Sequence, residues 1–166
     1  MNVQEALKPL LVDVDSLHVD PSNARKHDGR NIEAIAASLV RFGQTKPIVL
    51  HKNGKTIIAG NGTYEAAKSL RWKKIAAVKT DLKESDAVAY GIADNKTAEL
   101  AEWDDDVLRS LLEPMEDDLA LATGFNDEEL KELLEIDFSP SSSEEQSKLD
   151  EEKTTKCPEC GHEWKS

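Results

Sequence analysis

The stretch that most constrains the fold runs from Ile57 to Leu70 and is written IIAGNGTYEAAKSL. The apolar run Ile57–Ala59 is typical of a buried strand. It meets Gly60-Asn61-Gly62, where the glycines tolerate positive φ and no bulky side chain covers the backbone. Thr63 or Asn61 can then cap a helix. The segment therefore predicts a strand, a tight turn and a helix in immediate succession.

Two interpretations of this turn are open. Where a glycine turn leads into a helix, unpaired backbone N–H groups and the positive end of the helix dipole form a site for an anion, usually a phosphate. A strand-to-helix connection that binds nothing has the same local pattern, because short glycine motifs occur widely. Phosphate binding at the turn is therefore a hypothesis that needs support from the rest of the chain.

Further strands and helices are predicted on both sides of the turn. Residues 10–20 alternate in the manner of a strand, and Ile75–Val78 is another. The runs Ile48–Leu50 and Thr56–Ala59 flank Asn53-Gly54, which is the strongest short signal for a hairpin. The predicted caps of four more helices are, in chain order, Asn31, Ser85, the aspartate run 104–106, and Asn126, which has Glu129 at capping-box spacing.

Charge divides the chain into a basic head and an acidic tail. Residues 16–100 hold 14 Lys and Arg against 9 Asp and Glu, a balance of +5, whereas residues 101–166 hold 6 against 21, a balance of −15. A net charge of −12 does not attract duplex DNA. We therefore expect only weak, non-specific DNA binding, and only by the head.

The sequence predicts neither a membrane-spanning segment nor a secretory signal. No apolar run approaches the roughly 20 residues needed to span a bilayer. Residues 1–15 lack the positive and apolar regions of a signal peptide. The sequence predicts a cytoplasmic protein without a membrane partner. Residues 139–156 have almost no apolar side chains and are predicted to be disordered.

The cysteines lie together in CPECGH near the C-terminus, a spacing typical of half a zinc ribbon. Cys157, Cys160 and His162 would supply three zinc ligands, and the fourth would come from Glu163 or a second chain. The alternative is a remnant knuckle with two free thiols. Both interpretations are open, because half a site is a less specific signal than four cysteines.

Three blocks of the chain, in order, resemble the ParB/sulfiredoxin superfamily. They are NARKHDGRNIEAIAASLVRFGQTKPIVL, IIAGNGTYEAAKSLRWKKIAAV and AVAYGIADNKTAELAEWDDDVL. The resemblance covers about residues 10–135 and is strongest to the ParB-like domains of bacteriophages and integrated elements, which often accompany a DNA methyltransferase. It implies an α+β fold in which a small mixed sheet and surrounding helices form a nucleotide pocket. Partitioning members of the superfamily are CTP-dependent DNA clamps, sulfiredoxins use ATP, and some relatives are assigned nuclease or kinase activity.

The resemblance, the composition of the tail and the CPxCG spacing together predict a domain organisation. Residues 10–100 form the ParB/sulfiredoxin-like domain and residues 101–137 a helical extension. Residues 138–155 form a disordered acidic linker, and residues 156–166 form a CPxCG tail that resembles a zinc knuckle.

The residues that the resemblance implies for binding come from an early loop, a first pocket segment and the glycine turn. They are Asn23, Arg25, Gln44, Pro47, Gly60, Asn61, Gly62, Thr63 and Tyr64. Asp94 and Asn95 match the acidic-Asn segment that sits near the triphosphate and its metal, so they are the candidates for a catalytic role. The implied cofactor is a nucleoside triphosphate, CTP or ATP, with Mg²⁺.

The chain also departs from the family pattern. Asn61-Gly62-Thr63 stands where partitioning members and sulfiredoxins carry arginine or histidine-arginine, so no basic side chain of the turn neutralises a triphosphate. The acidic residue that partitioning members carry in the turn is also absent, which puts hydrolysis in doubt. No cysteine occupies the turn, which excludes sulfiredoxin chemistry because the nucleophile is missing. The DNA-reading helix-turn-helix domain of partitioning proteins is replaced by acidic helices and a tail.

Three functions follow as alternatives. The favoured one is a phage or mobile-element nucleotide-binding protein that acts with DNA-modification or DNA-processing machinery, its acidic tail docking a partner such as a methyltransferase. The second is a Mg²⁺-dependent nuclease, nucleotidase or kinase that uses Asp94 or Asn95. The third is an acidic DNA mimic. We favour the first because no nucleophile–base pair can be located in the sequence. The nucleotide, the partner and the oligomeric state, including a homodimer, are left open.

Overall fold

A computed structural model describes residues 1–134, 154–156 and 163–165. The chain divides into two compact units, residues 1–134 and 135–166. The strands are β1 (Leu11–Asp13), β2 (His18–Val19), β3 (Ile48–Leu50), β4 (Thr56–Ala59), β5 (Lys74–Lys79), β6 (Thr154–Lys156) and β7 (Glu163–Lys165). The helices are α1 (Gly29–Phe42), α2 (Asn61–Ser69), α3 (Glu84–Glu99), α4 (Asp105–Leu112), α5 (Asp117–Leu121) and α6 (Asp127–Leu134).

The first five strands form one mixed sheet in the order β1-β5-β3-β4-β2. Strand β5 is antiparallel to β1 and parallel to β3, β3 is antiparallel to β4, and β4 is parallel to β2. The predicted hairpin is confirmed as the β3–β4 connection. In it, Gly54 has φ +70° and Asn53 Oδ1 accepts from the N–H groups of Lys55 and Thr56 at 2.9 and 3.0 Å. The α+β class and the mixed sheet are confirmed.

The strand predicted within residues 10–20 is present as β1, but it ends at Asp13 because a 3-10 turn follows at Val14–Ser16. This turn separates β1 from β2, which lie at opposite edges of the sheet. The Ser16 hydroxyl donates to the carbonyl of Asp13 at 2.6 Å, and this local bond competes with strand pairing. The turn also places Val14 in the core, where it is 1% exposed.

The hydrophobic core joins the sheet to α1 and α2. Ala66 and Ala67 of α2 are fully buried, and their small side chains let the helix approach its neighbours closely. The core residues are Val14, Leu17, Leu39, Ile48, Leu50, Ile57, Tyr64, Ala66, Ala67, Trp72, Ile75 and Ala77. Burial of each large aliphatic side chain stabilises the fold by about 1.5–3 kcal/mol.

Helix α3 packs on strand β4 through a glycine. A Cβ atom at Gly91 would lie 2.8 Å from the carbonyl oxygen of Ile58, so only glycine allows this approach. Gly91 weakens the helix intrinsically, and the close contact with β4 is its structural reason. Ala87 is the buried residue of α3, and most other side chains of this helix are exposed.

The helix caps are partly as predicted. Asp104 caps α4 by accepting from the N–H of Val107 at 3.1 Å. The capping box of α6 is confirmed, since Asn126 N–H donates to Glu129 at 3.0 Å and Glu129 N–H donates to Asn126 Oδ1 at 2.8 Å. Helix α5 was not predicted.

Three predicted caps are wrong. The N-cap of α2 is Gly60, without a side-chain hydrogen bond, whereas Asn61 and Thr63, which were predicted to cap this helix, lie within its first turn. Asp28, not Asn31, caps α1, and it accepts from the Asn31 N–H at 2.7 Å. The Asn31 side chain instead contacts His27 Nδ1 at 2.7 Å. Helix α3 begins at Glu84 after Lys83, so Ser85 lies within its first turn.

Strands β6 and β7 form an antiparallel hairpin in the second unit. Residues 154–156, for which disorder was predicted, are therefore strand residues, and the rest of that predicted segment lies outside the described residues. Among the described helices, none is both long enough and apolar enough to cross a membrane.

Candidate functional site

Two adjoining cavities lie between the loop that follows β2, the start of α2 and the outer helix α3. The larger, which we call the α3 cavity, has a volume of about 260 Å³. The smaller, which we call the turn cavity, has a volume of about 150 Å³. Four residues line both: Asn23, Arg25, Asn61 and Asn95. The two cavities therefore share a polar boundary.

The predicted strand–turn–helix is present, and the turn cavity opens at its bend. Gly60 adopts the left-handed conformation, with φ 89° and ψ 27°, and α2 begins at Asn61. The first N–H of the helix with an intrahelical acceptor is that of Tyr64, which donates to the Gly60 carbonyl at 3.0 Å. The preceding N–H groups of Asn61, Gly62 and Thr63 have no acceptor among the described residues. All three residues line the turn cavity.

Asn61 is the exceptional polar residue of this region. It is 6% exposed, and its side-chain Oδ1 is buried without a hydrogen-bond partner among the described residues. A buried amide oxygen that lacks a partner costs about 1–3 kcal/mol. This cost marks Asn61 as a residue that lacks a binding partner in the isolated chain.

Gly62 is needed for a different reason from the predicted one. Its φ is not positive, because it lies within the first turn of α2. A Cβ atom at Gly62 would lie 2.7 Å from Ile35 Cδ1 and 2.9 Å from His27 Cε1. A larger residue would have to shift the ends of the Ile35 and His27 side chains, so glycine at this position is favoured by the close approach of α1 and the loop before it.

The loop after β2 is shaped by its own short side chains. Asp20 Oδ1 accepts from the Ser22 hydroxyl at 2.7 Å and from the Ser22 N–H at 2.8 Å, and these bonds hold the pKa of Asp20 below its usual range. Asn23 donates to the Arg25 carbonyl at 3.0 Å and accepts from the Arg25 N–H at 3.3 Å. This bracing fixes the backbone of Arg25 at the boundary between the two cavities.

Helix α3 supplies the wall opposite this loop. Val88 and Ile92 line the α3 cavity together with Ile58 of β4, so part of this cavity is apolar. Asn95 lines both cavities and donates to the carbonyl of Gly91 at 2.8 Å. Asp94 lines the turn cavity and is exposed. The structure therefore brings the early loop, the glycine turn and the Asp94-Asn95 pair together, as the resemblance implies.

Three of the predicted binding residues line neither cavity: Gln44, Pro47 and Tyr64. Gln44 is 1% exposed, and its amide donates to the carbonyls of Ala76 and Lys46 at 2.8 and 3.0 Å and accepts from the Ala76 N–H at 2.7 Å. The Tyr64 hydroxyl donates to the Leu17 carbonyl at 2.9 Å. Because these polar groups are engaged by the fold itself, we leave Gln44 and Tyr64 out of the proposed ligand contacts.

Lys96 and Glu99 were not identified from the sequence, although both line the α3 cavity. Arg25 donates to one carboxylate oxygen of Glu99, and Lys96 donates to the other at 3.2 Å. The helical spacing of Gly91, Asn95 and Glu99 places them on one face of α3. Extending that face by one turn beyond Asn95 would have found Glu99. The pairing with Arg25, 74 residues earlier, has no local signal.

Within the described part of the chain, no three His, Cys, Asp or Glu side chains cluster in a way that could hold a metal ion. Cys157, Cys160 and His162 lie outside the described residues, so the zinc knuckle stays a prediction.

Comparisons with known proteins identify the family and the fold of the chain. Residues 2–96 match the family model described as the ParB N-terminal domain. The chain is 29% identical over 76 residues to the ParB-like nuclease domain-containing protein YnaK of Escherichia coli (strain K12), an alignment that covers 46% of this chain and 86% of YnaK.

Among solved structures, the chain is similar to the C-terminally truncated chromosome-partitioning protein ParB from Caulobacter crescentus complexed with CTP-gamma-S. The TM-score is 0.61 at 18% identity, and the match covers 75% of each chain. At this identity the likeness shows the fold. The family model, however, spans more than half of the 166 residues, including the whole glycine turn and Asp94-Asn95. The chain therefore belongs to the ParB N-terminal domain family.

Proposed function

We propose that this chain binds a nucleotide, with the phosphate groups at the start of α2 and the base and sugar in the α3 cavity. In this proposal it acts beside DNA-modification or DNA-processing machinery. Two adjoining observations carry the proposal: the buried, unpartnered Asn61 Oδ1, an acceptor suited to an amino or hydroxyl group of a nucleoside, and the first N–H groups of α2, which have no described acceptor and suit a phosphate. A fold that leaves several buried polar groups unpaired at one place is arranged for a polar ligand.

The phosphate end of the site combines backbone and side-chain donors. The N–H groups of Asn61, Gly62 and Thr63 point out of the first turn of α2, where the helix dipole favours an anion. Arg25 lines the same cavity and offers a guanidinium that binds a phosphate with two hydrogen bonds. These donors take the place of the basic side chain that the glycine turn lacks.

The α3 cavity suits the apolar face of a base. Its lining includes Ile58, Val88 and Ile92, and its polar boundary is formed by asparagines 23, 61 and 95. Nucleotide sites commonly combine predominantly apolar walls with a few polar groups that fix orientation. Since the relative from Caulobacter crescentus was solved with CTP-gamma-S, CTP is the first nucleotide to test.

Magnesium fits the proposal through Asp94. Mg²⁺ is usually held by one or two carboxylates together with substrate phosphates. Asp94 lies against the turn cavity, and no hydrogen bond or ion pair to its carboxylate is observed among the described residues. A metal bound to Asp94 and a phosphate would neutralise charge that the protein alone leaves unpaired.

Binding is favoured over catalysis by the state of the carboxylates. Within the described lining of the two cavities the acidic residues are Asp20, Asp94 and Glu99. Asp20 is engaged by Ser22, and Glu99 by Arg25 and Lys96. Paired-carboxylate chemistry would need a second available carboxylate next to Asp94. The nuclease, nucleotidase or kinase alternative is tested by phosphate release with and without DNA.

A protein partner is proposed for the acidic extension. Helix α4 buries Leu108 and Leu112, yet it also displays Val107 and Leu111 to solvent at 53% and 57% exposure. These apolar side chains follow the aspartate run 104–106. An apolar strip beside acidic residues supports docking of a protein with a basic surface. The DNA methyltransferase stays a prediction from the family resemblance.

Thermal unfolding with nucleotides tests the proposal. CTP, ATP, GTP and their diphosphates would each be added at millimolar concentration with Mg²⁺, with cytidine and orthophosphate as controls. A ligand at 100 times its Kd stabilises the native state by about 2.7 kcal/mol, which shifts the melting temperature by several degrees. The absence of a shift with any of these nucleotides would contradict nucleotide binding.

A further inference from the structure

The cationic side chains in the described lining of the candidate site are paired with a single carboxylate. Within the described lining of the two cavities, the Lys and Arg residues are Arg25 and Lys96. Both donate to Glu99: the Arg25 guanidinium to Oε1, and the Lys96 ammonium to Oε2 at 3.2 Å. Each oxygen of the Glu99 carboxylate therefore holds one of the two cations.

Glu99 is ionised at neutral pH in this arrangement. The hydrogen bond from Lys96, followed by that from Arg25, holds the pKa of Glu99 below its usual range. A carboxylate and a phosphate offer a guanidinium the same kind of acceptor, since each presents two oxygens to its planar fork. Glu99 thus offers Arg25, which lies at the boundary of the two cavities, the same kind of acceptor that a phosphate at the start of α2 would offer.

We propose that Glu99 is an internal competitor of the ligand: its carboxylate holds Arg25 and Lys96 until a phosphate displaces it. The inference rests on the proposed function, because it requires a phosphate-bearing ligand in this site. Binding then exchanges the Arg25–Glu99 ion pair for an Arg25–phosphate pair. Because the ligand must displace Glu99, it binds with lower affinity than it would if Arg25 and Lys96 were not paired with a carboxylate.

The expected change in affinity follows from the solvent exposure of the Arg25–Glu99 ion pair. The side chains of Arg25 and Glu99 are 41% and 45% exposed, so solvent screens their attraction. Exchange of an exposed ion pair changes an equilibrium by about fivefold at most. Removal of the Glu99 charge also relieves its repulsion of the phosphates. We therefore expect Glu99→Gln to lower the Kd about three- to tenfold.

The same exchange predicts dependence on phosphate number. A triphosphate places more negative charge near Glu99 than a monophosphate does, and Coulomb repulsion grows with that charge. Glu99→Gln should therefore tighten binding of CTP more than that of CMP. Added salt should reduce the gain, because it screens charges at the surface.

Isothermal titration of the full chain with CTP, ATP and CMP in the presence of Mg²⁺ tests the inference. The matched control is Glu84→Gln, which removes one carboxylate from the other end of α3. Glu84 contacts His51 and Lys52 and lines neither cavity. Glu99→Gln should bind more tightly, and Glu84→Gln should bind as the wild type does. In a background that lacks both cations, Arg25→Gln with Lys96→Gln, Glu99→Gln should give a smaller gain, since only the relief of phosphate repulsion remains.

The outcomes separate this inference from the proposed function. If the wild type binds a nucleotide and Glu99→Gln binds it equally or more weakly, the competitor role is overturned while nucleotide binding stands. A gain of the same size in the Arg25→Gln, Lys96→Gln background would show that Glu99 acts only through its general charge, which also overturns the exchange. If neither the wild type nor Glu99→Gln binds any of these nucleotides, the proposed function fails and the inference fails with it.

Discussion

Two amide side chains are almost fully buried in the same domain, but they differ in their hydrogen bonding. Gln44 is 1% exposed and makes three side-chain hydrogen bonds, two of them with Ala76. Asn61 is 6% exposed, and its Oδ1 has no partner among the described residues. The first lies between the end of α1 and the sheet, and the second lies at the start of α2.

The difference separates Gln44, whose polar groups are satisfied by the fold, from Asn61, which we propose to pair with a ligand. The Gln44 amide both donates to and accepts from Ala76 of β5, just before Ala77, where β3 takes over the pairing. It therefore acts as one more peptide group of the sheet. Asn61 makes no comparable bond through its oxygen, so its burial carries a cost that a hydrogen-bond donor in the cavity would offset.

The largest effect on stability is expected from the removal of the Gln44 side chain. Gln44→Ala would leave the buried N–H and carbonyl of Ala76 without that partner, at about 1–3 kcal/mol for each group. We expect the free energy of unfolding without ligand to fall by about 3 kcal/mol, measured by urea denaturation. Gln4→Ala, at an exposed glutamine, is the control and should change little. A loss of less than about 1 kcal/mol in Gln44→Ala would return Gln44 to the candidate ligand contacts.

The next largest effect is expected at Gly60, which holds the turn that presents Asn61. An alanine there would adopt φ near +89° and place its Cβ 2.7 Å from Ile48 Cγ2. Left-handed backbone alone costs a non-glycine residue about 1–2 kcal/mol, so Gly60→Ala should lose about 2 kcal/mol. Gly29→Ala is the matched control, because no atom lies within 4 Å of the position that its new methyl group would take and α1 is helical there. Equal stability of the two variants would show that the turn is not strained.

Local patterns in the sequence were sufficient to predict much of the domain. Asn53-Gly54 predicted the β3–β4 hairpin, and Asn126 with Glu129 predicted a capping box, because each depends on residues at most three apart. The strand, turn and helix around Gly60 were predicted for the same reason. The family resemblance added that Asn23, Arg25 and Asp94 lie near this turn.

What the sequence could not supply was pairing over long distances. Gln44 meets Ala76 across 32 residues, and Arg25 meets Glu99 across 74. A glutamine that extends a sheet and a glutamine that binds a nucleotide look the same in a sequence, since both occupy a buried polar position. Gly62 was likewise predicted to need positive φ, whereas its actual constraint is contact with Ile35 and His27.

A smaller effect on stability is expected at Tyr64, whose side chain makes one buried hydrogen bond, whereas that of Gln44 makes three. Its hydroxyl donates to the Leu17 carbonyl at 2.9 Å, and Tyr64→Phe removes only that bond. We expect a loss of about 1 kcal/mol in the free energy of unfolding. The other tyrosine of the chain, Tyr90, is 38% exposed, so Tyr90→Phe should be neutral. If Tyr64→Phe weakened nucleotide binding instead of stability, the family-based assignment of Tyr64 to the pocket would stand.

The smallest effect on stability, and the most informative one, is expected at Asn61. Asn61→Ala removes a buried oxygen that no described residue satisfies and introduces the best helix former at the first position of α2. The side chain borders two cavities that already exist, so its loss leaves no new sealed void. Without ligand, the free energy of unfolding should therefore stay within about 0.5 kcal/mol of the wild type or rise slightly.

Nucleotide binding by Asn61→Ala should respond in the opposite way. The unpaired Asn61 oxygen is an acceptor, so in the proposed complex it pairs with an amino or hydroxyl donor of the nucleotide. Such a bond contributes about 0.5–1.5 kcal/mol, so loss of the amide should weaken binding about two- to tenfold and shrink the nucleotide-induced rise in melting temperature. Gln44→Ala, studied at a temperature at which it is folded, should keep its affinity. Gln44→Ala would then lower stability without weakening binding, and Asn61→Ala would weaken binding without lowering stability. If Asn61→Ala were strongly destabilised and bound nucleotide as the wild type does, Asn61 would be a structural residue like Gln44, and the unpaired oxygen would have to find its partner within the protein.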